Sequence, residues 1–292
     1  MKKTWVGTAG LALVTLAVAV AGCGSKNGAN EAGANASGGD KQTDQAAAGG
    51  GNAAAGVKKI IVGTGTQFPK VCFLDENGKL TGFDVELVKE IDKRLPGYAF
   101  EFQTMDFSNL LLSLETKKID FVAHEMEQNP DRAAKYLFNK EAYAHWKTKI
   151  IVPKDAKSTY ANLDDLKGKK VLTTATSAEA TLLETYNQSN GDAIKIVYTN
   201  GAANDTVSQL TTGRVDATLG ADFTLSLIDP QGKLQSVGDA LEEADVQFVF
   251  RKDDPDERKL ADAVDGALKE IKADGTLSKL SVQWLGADYT QN

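Results

Sequence analysis

The densest group of reactive side chains in this sequence runs from His124 to Arg132, with Glu125 and Glu127 between them. Arginine's planar fork matches both oxygens of a carboxylate, so Arg132 is a candidate anchor for an anion. The plainer role is an ion pair with Asp131 or Glu127. Glu125 and Glu127 suit ammonium groups, or they balance Arg132 and nearby lysines. His124 beside Glu125 has the makings of a general acid–base pair. Metal and nucleotide chemistry find less support. The two histidines, His124 and His145, lack ligand spacing, and no His-Glu-x-x-His or Cys-x-x-Cys occurs. Gly63-x-Gly65 runs into Phe68-Pro69 rather than a helix, which is no dinucleotide fingerprint. No metal and no cofactor are expected.

A second group is Thr174-Ala175-Thr176-Ser177, with Glu179 following. Thr176 and Glu179 have the spacing of a capping box, which predicts a helix start. Free N–H groups and hydroxyls at such a start also form an anion site, so Thr176 and Ser177 become candidates.

The elements that must position these groups alternate between strand-like and helix-like patterns, as in an α/β protein. Lys59–Gly63 reads as a buried strand, and Asn77-Gly78 as a hairpin turn. Asp84 is predicted to cap a helix bearing Val85, Leu87, Val88, Ile91 and Leu95, and Asp106 one bearing Leu110, Leu111 and Leu114. Ile119–Ala123 is a strand leading to the acidic group. A second α/β stretch starts near Lys149, with strands at Lys169–Leu172, Ile194–Tyr198 and Val215–Leu219, and helices at Ser177–Asn190 and Asp205–Thr212. Val246–Phe250 is a further strand, and Pro255–Lys272 an amphipathic helix.

The chain ends bound the compartment. Lys2, Lys3 and the apolar run Leu11–Ala21 read as a signal peptide (1–22) ending in Val20-Ala21-Gly22-Cys23, which resembles a bacterial lipobox. Cys23 is then the lipidated first residue, and two acyl chains suffice for stable anchoring. Residues 23–56 form a Gly/Ala/Ser/Asn-rich tether, predicted to be disordered and on the order of 30 Å long. The formal charge of −7 becomes −9 when Lys2 and Lys3 leave, which argues against nucleic acid. Cys72, in Val71-Cys72-Phe73-Leu74, reads as a buried packing residue.

Ordered segments across Val57–Trp284 resemble the family 3 extracellular solute-binding proteins. They are Ile61-Val62-Gly63-Thr64 with Phe68-Pro69, the run Gly78–Val85, and Lys117-Lys118-Ile119-Asp120. Asn129-Pro130-Asp131-Arg132, Thr212–Ala217, Phe250–Asp254 and Ile271–Thr276 complete the set. The resemblance implies a two-lobe periplasmic-binding-protein fold of type II. Lobe one would be 57–147 with 249–292, lobe two 148–248, and the hinge strands near Tyr143–Lys149 and Asp245–Phe250. An amino acid would bind in the cleft, and closure would present a shape read by a permease.

Carried onto these residues, the family pattern gives Arg132 the ligand α-carboxylate, with Thr176 and Ser177 clamping it from lobe two. Phe68 and Phe107 fall where aromatic rings sandwich the ligand side chain. Three departures concern the amine. Gly65 stands where relatives carry an acid, Asp222 is displaced by one and reaches the cleft only through a bulge, and Glu125 and Glu127 replace small hydroxyl residues. These acids resemble the cystine-binding branch, so cystine is the expected ligand and another polar amino acid the alternative. The expected partners are an ABC permease and ATPase, with the chain a monomer anchored on the extracellular face of the plasma membrane. A cell-surface sensor fits the same features, and a few relatives are dehydratases, although no enzyme activity is expected.

Overall fold

A β-branched run bounded by lysine and glycine sets the first strand, β1 (Lys58–Thr64), whose inner half is buried. In the computed structural model, the residues described are 56–291 apart from 158 and 201. The leader (1–22), Cys23 and all of the tether (23–56) except Gly56 lie outside them. After β1 a small antiparallel sheet forms from β2 (Gln67–Phe68), β3 (Cys72–Leu74) and β4 (Leu80–Thr81). The β3–β4 turn is the expected one. Gly78 takes φ 74°, and the Asp75 carboxylate accepts hydrogen bonds from the Asn77 and Lys79 amides, both 2.9 Å.

Then come α1 (Phe83–Arg94), β5 (Tyr98–Thr104), a single 3-10 turn at Phe107–Asn109, α2 (Leu110–Glu115), β6 (Phe121–Glu127), α3 (Pro130–Lys135) and β7 (Tyr136–Phe138). Strand β8 (Ala144–Pro153) leads into β9 (Lys170–Thr174), α4 (Ala178–Asn190), β10 (Lys195–Thr199), α5 (Ala203–Thr211), β11 (Ala217–Ala221) and α6 (Thr224–Ile228). Strand β12 (Leu234–Arg251) returns, and α7 (Pro255–Ala273) and α8 (Thr276–Leu285) close the chain.

The main sheet runs β10-β9-β11-β8-β12-β6-β1-β5, with β7 paired to β12. Two parallel groups, β10/β9/β11 and β6/β1/β5, flank the long antiparallel pair β8–β12. The crossing strands overlap the expected hinge segments, Tyr143 lying just before β8, and β12 is far longer than Val246–Phe250. Its polar part, Glu242–Asp245, is held in register against Thr148–His145. Lys147–Glu243 and His145–Asp245 pair across that ladder at 2.7 and 2.6 Å.

Two sets of apolar cores follow this division. Around β1 and β6, one core packs Ile60, Phe83, Ile91, Phe121, Phe250 and Leu268, and another packs Leu110, Leu114 and Val122 on the opposite face. Around β9 and β11, Val171, Leu183 and Ala217 pack on one face, and Leu172, Leu210 and Val215 on the other. Ala221, Phe223, Val246 and Phe248 join the first set. Cys72 is fully buried, as its apolar neighbours predict, and burial pushes its thiol pKa up.

Candidate functional site

Ligands of parallel α/β sheets bind outside the carboxyl ends of strands. Here those ends, from both parallel groups, border a cavity of about 180 Å³. Arg132 enters it from α3. Asn129 caps that helix by accepting the Arg132 amide at 2.8 Å, and Pro130 occupies its first position, which fixes where the arginine stands. The side chain is 6% exposed. One guanidinium nitrogen donates to the Glu127 carbonyl at 2.8 Å, and the other donates across the cleft to the Thr176 carbonyl at 2.7 Å. Among the described residues no carboxylate lies within ion-pair distance of Arg132. Neither plain salt bridge, to Asp131 or through the Glu127 carboxylate, is made. A buried fork held by two neutral carbonyls keeps donors for an anion.

The opposing turn is shifted by one residue from the expected capping box. Ser177, not Thr176, caps α4, its Oγ accepting the Ala180 amide at 3.0 Å. Thr176 instead takes a left-handed conformation, φ 67°, which aims its carbonyl at Arg132. Ser177, Thr173 and Thr174 line the cavity, whereas the Thr176 side chain does not.

Four acids gather nearby. Asp84 does not cap α1, whose N-cap is Gly82; it is fully buried within the first turn. Its carboxylate accepts the Glu125 amide at 2.7 Å and the Tyr143 hydroxyl at 3.2 Å, so it holds the end of β6, where Glu125 sits at φ 44°. Glu125 is 8% exposed and lines the cavity, with Oε1 lacking any partner. Glu127 accepts the Trp146 indole N–H at 2.6 Å. Glu179, in the first turn of α4, lines the same cavity from the other side. Burial, then the Asp84 charge, pushes the Glu125 pKa well up. Burial, then Glu179, takes Glu127 to about 8, and burial takes Asp84 to about 7.

Aromatic rings form one wall. Phe107 meets the His124 ring edge-on at 4.9 Å, and Phe68 lies 6.3 Å from both His124 and Phe223. His124 is therefore a wall ring, not an acid–base partner of Glu125; burial pushes its pKa down to about 4 and keeps it neutral. This ring also accounts for Gly65. A Cβ there would come within 2.6 Å of His124 Nε2. Gly65→Ala is expected to cost about 1–3 kcal/mol in stability. A double-mutant cycle with His124→Ala should show coupling of about 1 kcal/mol or more, and strictly additive losses would contradict the clash.

Thus Phe68, Phe107, Glu125, Glu127, Arg132 and Ser177 converge on one cavity. Asp222 does not. It is exposed on a separate concavity beside Lys147 and Tyr289, because β11 ends at Ala221 without the bulge that would turn it inward. Trp146 and Glu179 join the site unannounced by motif. Alternation along β8 points to an inward Trp146, and Glu179 reads from sequence only as half of a capping box.

Residues 60–287 match the sequence profile of the bacterial extracellular solute-binding proteins, family 3. The chain belongs to that family. A family 3 relative, the L-cystine-binding protein TcyK of Bacillus subtilis, is 49% identical over 237 residues, covering 80% of this chain and 86% of that one. The L-cystine-binding protein TcyJ of the same organism is 45% identical with the same coverage. Among solved structures, a putative L-cystine ABC transporter protein from Listeria monocytogenes is 51% identical with TM-score 0.75, covering 80% of this chain and 98% of that one. A mutant arginine-binding protein from T. maritima is 29% identical with TM-score 0.69, covering 78% and 95%. The fold is the two-lobe periplasmic-binding-protein fold, and these family 3 relatives are binding proteins, not enzymes. Among the described residues no helix is long and apolar enough to cross a membrane.

Proposed function

We propose that this protein delivers an amino acid, cystine, to an ABC permease and its ATPase, as a monomer held on the extracellular membrane face through lipid on Cys23. The observation that carries the reading is Arg132, a buried cation without an ion pair, facing a cavity together with the start of α4. Its fork suits the ligand α-carboxylate, with Ser177 and the Thr176 turn opposite. Glu125 and Glu127 take ammonium groups, and Phe68 and Phe107 flank the side chain. Asp222 has no part in this assignment. The lobes are 57–147 with 249–292, and 148–248.

The names of the two B. subtilis relatives favour cystine as that amino acid.

Thermal unfolding against an amino-acid panel tests the reading. Cystine at a hundred times its Kd is expected to add about 2.7 kcal/mol, or roughly 5–10 °C for a body of this size. A shift with a different amino acid alone would replace cystine, and no shift with any would sink the amino-acid reading. Mass spectrometry of the processed N-terminus should find Cys23 carrying a diacylglyceryl group; an unmodified Cys23 would remove the anchor.

A further inference from the structure

Glu179 stands two residues past Ser177, whose Oγ accepts the Ala180 amide at 3.0 Å and so starts α4 beside the cavity. It is half-buried, lines the cavity, and among the described residues makes no hydrogen bond or ion pair. The ordinary role of an acid here is to favour the positive end of the helix, which needs no cavity. Its charge nevertheless acts on the other parallel group. After burial, Glu179 is the foremost influence raising Glu127 to about 8, whereas for Glu125 it comes last, behind burial, Asp84 and Glu127. Burial pushes the Arg132 pKa down, against Glu127 and then Glu179. Arg132, Glu127 and Glu179 are therefore one charged group, brought together from α3, the end of β6 and the start of α4. Among the described residues Arg132 is the one lysine or arginine on the lining, against Asp106, Glu125, Glu127 and Glu179. Glu125, 8% exposed, has its Oε1 buried there without a partner. Acids so placed are costly until a cation lies among them. With Asp222 turned to the separate concavity, Glu179 is the acid that the β9/β10/β11 group contributes.

We propose that Glu179 is a specificity-determining residue: with Glu127 it grips the ligand's α-ammonium from opposite sides of the cleft, while Arg132 holds the α-carboxylate of the same head. The proposal rests on the amino-acid reading above, which places that carboxylate at Arg132. Without a ligand, the Glu127 and Glu179 carboxylates repel each other across the cleft. An ammonium between them turns the repulsion into two charge-assisted hydrogen bonds. Closure over the ligand therefore requires an amine as well as a carboxylate, and a carboxylate lacking the amine meets two acids.

The test is calorimetry on Glu179→Gln, Glu127→Gln and the double variant, with L-cystine, or with the tightest binder of the amino-acid panel if cystine does not bind. Glu242→Gln is the control: Glu242 also feels Glu179, after burial, but is exposed and outside the cavity lining. Glu179→Gln is expected to weaken binding roughly five- to fiftyfold, since a neutral amide replaces a charged partner, and Glu242→Gln by less than about twofold. The double variant should lose at least about threefold less than the product of the single losses, because removing either acid already removes the repulsion. Glutamine suits the first turn of a helix, and melting curves check that each variant folds. A role confined to the start of α4 would give losses that multiply strictly with those of Glu127→Gln. That result, or Glu179→Gln binding no more weakly than the Glu242→Gln control, would overturn the clamp while wild-type binding leaves the amino-acid reading standing. A wild type that binds no amino acid would overturn both.

Discussion

Replacing Arg132 with methionine is expected to weaken amino-acid binding by roughly thirty- to several-thousand-fold, the 2–5 kcal/mol typical of truncating one partner of a buried, hydrogen-bonded charge pair. The argument is geometric before it is electrostatic. The guanidinium is 6% exposed, and its two described hydrogen bonds end on the carbonyls of Glu127 and Thr176, one on each side of the cleft. These neutral contacts orient the fork and leave it without an ion pair, which an α-carboxylate would supply bidentately. Lysine offers a point charge and no fork, so Arg132→Lys should recover little of the loss. The unliganded fold should tolerate methionine well, because removing a buried cation removes its desolvation cost. Calorimetry and melting curves read both effects. Methionine-variant affinity within threefold of wild type would sink the assignment.

A second large effect concerns pH. In this cavity burial favours the neutral forms of Glu125 and Glu127, with Glu127 at about 8. A ligand ammonium favours the ionised forms, so binding should release protons. Affinity is then weakest at acid pH and rises toward pH 8, by up to about tenfold per pH unit for each proton released. Above the raised pKa of Glu127 its share of the gain should level off. Glu127→Gln should flatten this dependence and bind roughly ten- to a hundredfold more weakly at pH 8. Calorimetry in two buffers of different ionisation enthalpy counts the protons directly. Affinity independent of pH, with no proton release, would contradict the amine role of these acids.

The unliganded stability runs in the opposite sense. Glu127 and Asp84 have folded-state pKa values above their ordinary ones, at about 8 and 7. Between the ordinary carboxylate range and those values the folded form holds protons that the unfolded chain has released. Its stability therefore falls as pH rises through that window. Ligand binding and ligand-free stability should thus move apart between pH 5 and pH 8.

Periodicity and punctuation made much of the fold legible. β1, the Asn77-Gly78 hairpin, α4 and α7 all stand close to where apolar spacing and turn residues place them. Strand β12 was harder to foresee, because its polar half is held by cross-strand pairing with β8, and pairing leaves no periodic mark on either segment. At the site, Arg132 was readable from the resemblance carried by Asn129-Pro130-Asp131-Arg132 and from the match of a guanidinium fork to a carboxylate. Caps were less so. Asp84 and Thr176 both look like helix caps in sequence, yet Asp84 is used to hold the end of β6 at Glu125, and Thr176 to present a carbonyl to Arg132. Both jobs depend on partners about 40 residues away. Asp222 failed for a local reason: side chains alternate along a strand, and one residue of offset puts it on the wrong side. Trp146 and Glu179 acquire their roles only when β8 and α4 are brought beside β6.

The most direct test of the central claim is a crystal structure of this protein grown with cystine, read at Arg132. One ligand carboxylate is expected with both oxygens about 2.7–3.1 Å from the guanidinium nitrogens, an ammonium against Glu125 or Glu127, and the side chain flanked by Phe68 and Phe107. A ligand bound with its carboxylates away from Arg132, or Arg132 paired instead with a protein carboxylate, would contradict the account.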